Sequence, residues 1–277
     1  MTDIATLTRQ EQARLAFSLL DLTSLTDTET RADIEDLCAK AKWRDADGNL
    51  TCVAALCIFP RFLPWARRIL DDKGLYHVRL ATVTNFPHGD SDIDIAVKET
   101  LASIAYGADE IDVVFPYRAL MSGDTDTPLR LVQACKAACG ERAMLKVILE
   151  TGELNSPKFI QEASAIAIAG GADFIKTSTG KVATNATPEA AEIMLGAIAA
   201  HRATGDHQAA PVRPVGFKPA GGIRTLDDAL VYMQAAQQTL GADAVRPSLL
   251  RLGASSVRSN LISVLEGTDE ATQAGGY

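Results

Sequence analysis

Three lysines and two aspartates stand inside short apolar runs of this chain. They are Asp21 in FSLLDLTSL (17–25), Asp112 in EIDVVF (110–115), Lys146 in MLKVILE (144–150), Lys176 in DFIKTS (173–178) and Lys218 in PVGFKPA (214–220). Such side chains are almost never fully buried unless they are paired. Any one of them could snorkel or make a structural ion pair. All five together point to chemistry. A lysine amine with the ordinary pKa of ~10.4 is neutral only about 0.04% of the time at pH 7, so it is a poor nucleophile. A second ammonium nearby, or desolvation, disfavours the charged form, and a drop of ~3 units leaves about a quarter of the amine neutral. Lys176 and Lys218 are candidates for such a pair, with one amine free to form a Schiff base. Asp112 could then move protons, directly or through a water.

An anion site is also legible. KPAGGIRT (218–225) carries Gly221 and Gly222 after one run, and LGASS (252–256) carries Gly253, Ser255 and Ser256 after the next. Both precede helix-like stretches, and helix N-termini attract phosphate. STGK (178–181) adds Gly180 and the cation Lys181. The full G-x-x-x-x-G-K-[ST] pattern is absent, so no nucleotide is implied.

These residues need elements to hold them. Eight apolar runs alternate with amphipathic stretches; the remaining three runs are CVAALCIF (52–59), VRLATVTNF (78–86) and LLRLGASS (249–256). Helical period marks 28–42, 92–107, 129–140, 156–171, 187–202 and 225–241, several with Ser, Thr or Asp at the expected N-cap and Gly after the end. Eight strands alternating with helices predict an α/β fold, a (β/α)8 TIM barrel with an extra N-terminal helix. A doubly wound open sheet is the main rival. In a barrel the chemistry gathers where strands end, which adds Thr23, Cys57, Thr82 and Asn85 to the candidates. No low-complexity linker divides residues 1–277, so a single domain is expected, with the polar, Gly-rich segment 266–277 as a mobile tail.

Composition bounds the function. The chain has 277 residues, 47% of them hydrophobic, which is ample for a sizeable core. Its net charge of −8 argues against nucleic acid and against anionic membranes as partners. No run reaches the ~18 apolar residues of a membrane span, and MTDIATLTRQEQ lacks a signal pattern, so a cytoplasmic location is expected. Five cysteines, odd in number and irregularly spaced, read as reduced thiols. The four histidines are scattered, so no metal is expected. From the residues alone, the reading is a Schiff-base enzyme on a small phosphorylated carbonyl compound.

The longer motifs carry a resemblance. LLDLTSL (19–25), LCIFPRF (56–62), TVTNFPHG (82–89), GADEIDVVFPYRALMSG (107–123), LKVILETGEL (145–154), GADFIKTSTGK (171–181), GFKPAGGIRT (216–225) and RLGASS (251–256) closely resemble the deoxyribose-phosphate aldolases. The likeness runs over about residues 15 to 256. It implies a class I, metal-independent lyase without a cofactor. Such an enzyme reversibly splits 2-deoxy-D-ribose 5-phosphate into D-glyceraldehyde 3-phosphate and acetaldehyde. By motif it implies Lys176 as the Schiff-base lysine. Lys218 is then the neighbour that depresses its pKa, and Asp112, with a water, the proton carrier. It places Asp21, Thr23, Cys57, Lys146 and Thr179 along the sugar. Gly180, Lys181, Gly221, Gly222, Arg224, Gly253, Ser255 and Ser256 fall along the phosphate. Tyr277 matches a terminal tyrosine that reaches the site. Family members commonly form homodimers. The rivals are another Schiff-base barrel on a different phosphosugar, which would release no acetaldehyde, and a barrel that only binds a sugar phosphate.

Overall fold

The computed structural model describes residues 3–204 and 213–269. Eight strands form one parallel sheet: β1 Leu20–Ser24, β2 Ala55–Ile58, β3 Arg79–Thr84, β4 Glu110–Val114, β5 Met144–Ile148, β6 Phe174–Lys176, β7 Gly216–Lys218 and β8 Leu252–Ala254. β1 to β7 pair in sequence order, and β8 pairs with β1. Two bridges, Phe217 with Leu250 and Ala220 with Gly253, close β7 onto the last strand. The sheet is therefore a (β/α)8 barrel and not an open doubly wound sheet. All eight apolar runs hold a strand.

Eleven helices are described: α1 Arg9–Ser18, α2 Arg31–Ala39, α3 Leu63–Asp72, α4 Ile93–Ala105, α5 Tyr117–Met121, α6 Asp126–Cys139, α7 Thr151–Leu154, α8 Pro157–Ala169, α9 Pro188–Ala203, α10 Leu226–Leu240 and α11 Val257–Leu265. Their starts follow the sequence. Thr8, Thr30 and Thr225 form reciprocal caps with Glu11, Asp33 and Asp228, and Asp92 and Thr187 cap α4 and α9. Two boundaries differ from expectation. Phe17 and Ser18 finish α1 before the first strand begins. The helix expected over 28–42 stops at Ala39, because Lys42–Arg44 turns back against Leu50–Cys52 as an antiparallel hairpin. None of the described helices is long and apolar enough to cross a membrane.

Most of the apolar core lies between the strands and the helix ring. The barrel interior is divided. One side is small and apolar, with Ala55, Cys57, Ala81, Val83 and Leu25 in contact beneath Phe59 and Phe86. The other side carries Lys146, Lys176, Lys218 and Arg251, all buried. Small residues on β2 and β3 leave the width that these long side chains need, since a barrel interior is a packed volume of fixed bore. In the first four residues of the expected tail, the Glu266, Gly267 and Thr268 amides donate to Ile262, Val264 and Ser263 of α11, and buried Asp269 lies 3.6 Å from Arg9. The rest of that segment, with Tyr277, lies outside the described residues.

Candidate active site

Parallel pairing sets the site. Lys176 and Lys218 are register partners on β6 and β7, and Asp112 and Lys146 are partners on β4 and β5. Partners on neighbouring strands point to the same face. Asp112 joins the two pairs. Its Oδ1 accepts from Lys146 Nζ at 2.8 Å, and its Oδ2 accepts from both Lys176 Nζ (2.8 Å) and Lys218 Nζ (2.7 Å). Lys218 also donates to Asp21 at 2.5 Å. Lys146 reaches Glu110 at 2.6 Å and Asp21 at 3.5 Å. Arg251 completes the network, with bonds to Asp21 (2.6 Å) and to both oxygens of Glu110 (2.7 and 3.0 Å).

The electrostatics follow from these distances. Burial pushes the Asp112 and Asp21 carboxyls up, but the surrounding lysines and Arg251 outweigh it and hold both well below the usual carboxylate range. Burial pulls the Lys146 and Lys218 ammoniums down. Asp112 leads the carboxylates that reverse this and hold both above the ordinary lysine value. Lys218 is thus no bare cation beside Lys176, because two carboxylates already hold it. Lys176 has one carboxylate contact, and it shares that oxygen.

Lys176 is also the network lysine that lines a cavity. The cavity holds about 450 Å³ and opens at the C-terminal ends of the strands. Thr23, Thr179, Gly180, Lys181, Gly221, Gly222, Gly253, Ser255 and Ser256 line it with Lys176. Its lining contains two lysines and no carboxylate, and each lysine is paired to an aspartate set behind the surface or at the rim. Gly221 and Gly222 hold φ of +79° and +82°, in the left-handed region that favours glycine, and a Cβ on Gly221 would press on Asn185. Ser256 N-caps α11 without a side-chain cap bond, its hydroxyl reaching towards the Ile223 carbonyl instead. The first-turn amides of that helix are therefore left uncapped by a side chain, as an anion needs. Lys181 is paired across the rim with Asp27 at 3.1 Å.

Several sequence candidates are set back from the cavity surface or stand outside it. Asp21, Cys57, Asp112, Lys146 and Lys218 are fully buried beneath the cavity and absent from its lining. Lys146 in particular is enclosed by three carboxylates. Burial pushes the Cys57 thiol up. Arg224 is exposed outside the cavity, with its backbone N–H donated to Asp228. Thr82 donates to the Ile58 carbonyl, and Asn85 spans Asp90 and Val114, so both hold backbone. Among the described residues no group of three or more His, Cys, Asp or Glu side chains is placed to hold a metal.

Sequence reasoning missed Glu110, Arg251 and Glu150. Glu110 sits two residues before Asp112, so strand alternation alone puts it on the same face. Arg251 opens the RLGASS motif and escaped notice because only residues after the strand were considered. Glu150 is fully buried, and its carboxylate accepts the Thr179 N–H at 3.1 Å, bracing the turn that follows Lys176.

A (β/α)8 barrel with a lysine at the mouth of its strands and a cavity lined by lysines, glycines and hydroxyls is a frame for small-molecule lyase chemistry. Residues 15–262 match DeoC/LacD family aldolase, and the chain belongs to that family. It is an aldolase, a carbon–carbon lyase. QR15, an aldolase, is 28% identical, with a TM-score of 0.70 over 91% of this chain and 96% of that one. A Toxoplasma gondii ME49 protein, provisionally assigned as a deoxyribose-phosphate aldolase, shares the fold. It is 23% identical with a TM-score of 0.81, covering 95% of this chain and 97% of its own. A tetrameric deoxyribose phosphate aldolase from Aeropyrum pernix is 23% identical, with a TM-score of 0.68 over 92% and 96%.

Proposed function

We propose that this aldolase cleaves 2-deoxy-D-ribose 5-phosphate reversibly to D-glyceraldehyde 3-phosphate and acetaldehyde, through a Schiff base on Lys176. The observation that carries the reading is Lys176 itself. Its amine stands at the cavity floor, 2.8 Å from a carboxylate oxygen that Lys218 also holds.

The neutral Lys176 amine adds to C1 of the open-chain sugar, and loss of water gives an iminium. That cation draws the C2–C3 bonding pair as the C3 hydroxyl proton leaves, which releases glyceraldehyde phosphate and leaves an enamine. Protonation at C2 and hydrolysis return acetaldehyde and the free amine. Asp112 orients Lys176 and, with a water, passes its proton onward. Lys218 fixes the shared oxygen. Asp21, Lys146 and Cys57 support this floor from below rather than touching sugar, while Thr23 and Thr179 face it. The phosphate is taken by the amides and hydroxyls around Gly180, Gly221, Gly222, Gly253, Ser255 and Ser256, with Lys181 released from Asp27 to meet it. We place the reaction in the cytoplasm, in a single-domain homo-oligomer.

Borohydride reduction in the presence of deoxyribose 5-phosphate tests the reading. A two-carbon adduct on the Lys176 peptide, with acetaldehyde in solution and neither in Lys176→Ala, is expected. An adduct on Lys218 or Lys146 would reassign the nucleophile. An adduct without acetaldehyde would point to another phosphosugar, and the absence of both would overturn the proposal.

A further inference from the structure

Arg251 has no part in the chemistry above, yet it is built into the same network. It stands just before β8 and is 4% exposed. Its guanidinium lies against the face of Phe174, with 5.7 Å from its carbon to the ring centroid, and its Nε is bonded to the Pro247 carbonyl. It is buried and is not among the residues that line the cavity. Gly216 keeps this arrangement possible, because any Cβ there would collide with the Phe174 ring.

A paired Arg and Glu usually cancel and stay local. Here each is tied onward: Arg251 to Asp21, which holds Lys218, and Glu110 to Lys146, which holds Asp112. The groups facing Lys176 and its neighbours can therefore be counted around the barrel. Asp21 comes from β1, Cys57 from β2, Glu110 and Asp112 from β4, Lys146 from β5, Lys218 from β7 and Arg251 from the approach to β8. On the loop side stand Glu150, bonded to the Thr179 amide, and Lys181, bonded to Asp27. Cys57 stays a neutral thiol because burial pushes it up. The bonded network sets three carboxylates against three lysines and an arginine, and the fully buried Glu150 carboxylate stands beside it. Arginine does not lose its proton in proteins. Lys176, with one shared carboxylate contact and access to the cavity, is the lysine that the network holds least.

We infer that Arg251 is a positioning residue that fixes the charge of the buried network so that Lys176 can act as a neutral amine, and that Glu110 sets the same balance with opposite sign. The inference rests on Lys176 being the nucleophile. Removing a buried cation lets the lysines hold protons more tightly, and removing a buried anion does the reverse.

The test is the pH dependence of adduct formation on Lys176, measured by borohydride trapping with deoxyribose 5-phosphate from pH 5 to 10, beside kcat/KM. In Arg251→Gln the midpoint should move up by about one pH unit, the scale of one unit charge in a weakly screened site, so the rate at pH 7 falls roughly tenfold and returns at higher pH. In Glu110→Gln it should move down. The double variant should return towards the wild-type midpoint, and Arg251→Lys should keep it, since both preserve the balance. A purely structural role would lower rates without moving midpoints. Unmoved midpoints, or two single variants moving the same way, overturn the inference alone. If Arg251→Gln does not fold, Glu110→Gln decides: a midpoint that stays or rises overturns it. Absence of any wild-type adduct would overturn the nucleophile reading and this inference with it.

Discussion

Lys146 shows what burial does to a single side chain. Three carboxylates hold its ammonium, at 2.6, 2.8 and 3.5 Å, and no part of it reaches solvent. Removing one partner from a buried charge cluster leaves the others uncompensated and costs about 3–5 kcal/mol. Lys146→Met should therefore lower the unfolding free energy by about that amount, read from urea denaturation. The exposed Lys40–Asp36 pair offers the contrast, since pairs of that kind contribute little. A Lys146→Met protein as stable as the wild type would mean that the network carries no strong internal pairing. The identities of the buried lysines and aspartates were readable from sequence, because a charged residue within an apolar run is conspicuous. Their partners were less so. Glu110 and Arg251 drew no notice, since the sequence does not show that the approach to β8 brings Arg251 against Phe174 and Glu110.

At the scale of elements, alternation and caps located all eight strands and most helices. The hairpin at Lys42–Arg44 and Leu50–Cys52 escaped because its strands are three residues long and half exposed. The sequence also gave no sign that Gly216 is a packing residue. It opens β7 beside Phe174, and a single methyl there would overlap the ring. Overpacking a filled interior costs about 1–3 kcal/mol when neighbours must shift. Gly216→Ala should thus destabilise the protein by that amount and should also slow turnover. The Phe174 ring lies against Arg251, and β7 carries Lys218 two residues on. Parallel measurement of the urea midpoint and of kcat checks both. Unchanged stability would show that the ring has room the static packing does not reveal.

For the whole molecule, the charged half of the barrel makes stability depend on pH in a defined direction. Asp21 and Asp112 are held below their ordinary values when folded, because lysine and Arg251 contacts outweigh burial. A depressed carboxyl contributes stability that is fully present above its unfolded pKa of ~3.9 and is lost as pH falls through the folded value. Lys146 and Lys218 are held above theirs, as Asp112 leads the carboxylates that outweigh burial. Their contribution is complete below the unfolded value of ~10.4 and is lost as pH rises through the folded one. Glu150 works the other way on the acid side. Burial raises it, so it withdraws some stability as pH climbs past ~4.3. The four network groups together give a broad plateau between pH ~5 and ~9 with a steep acid edge below pH ~4. Urea midpoints measured from pH 2.5 to 9 should trace that edge. They should also show it reduced in Asp21→Asn, whose missing charge can no longer be lost. An edge of equal steepness in both proteins would place the acid sensitivity in surface carboxylates instead, and the barrel interior would then be no more pH-dependent than any other core.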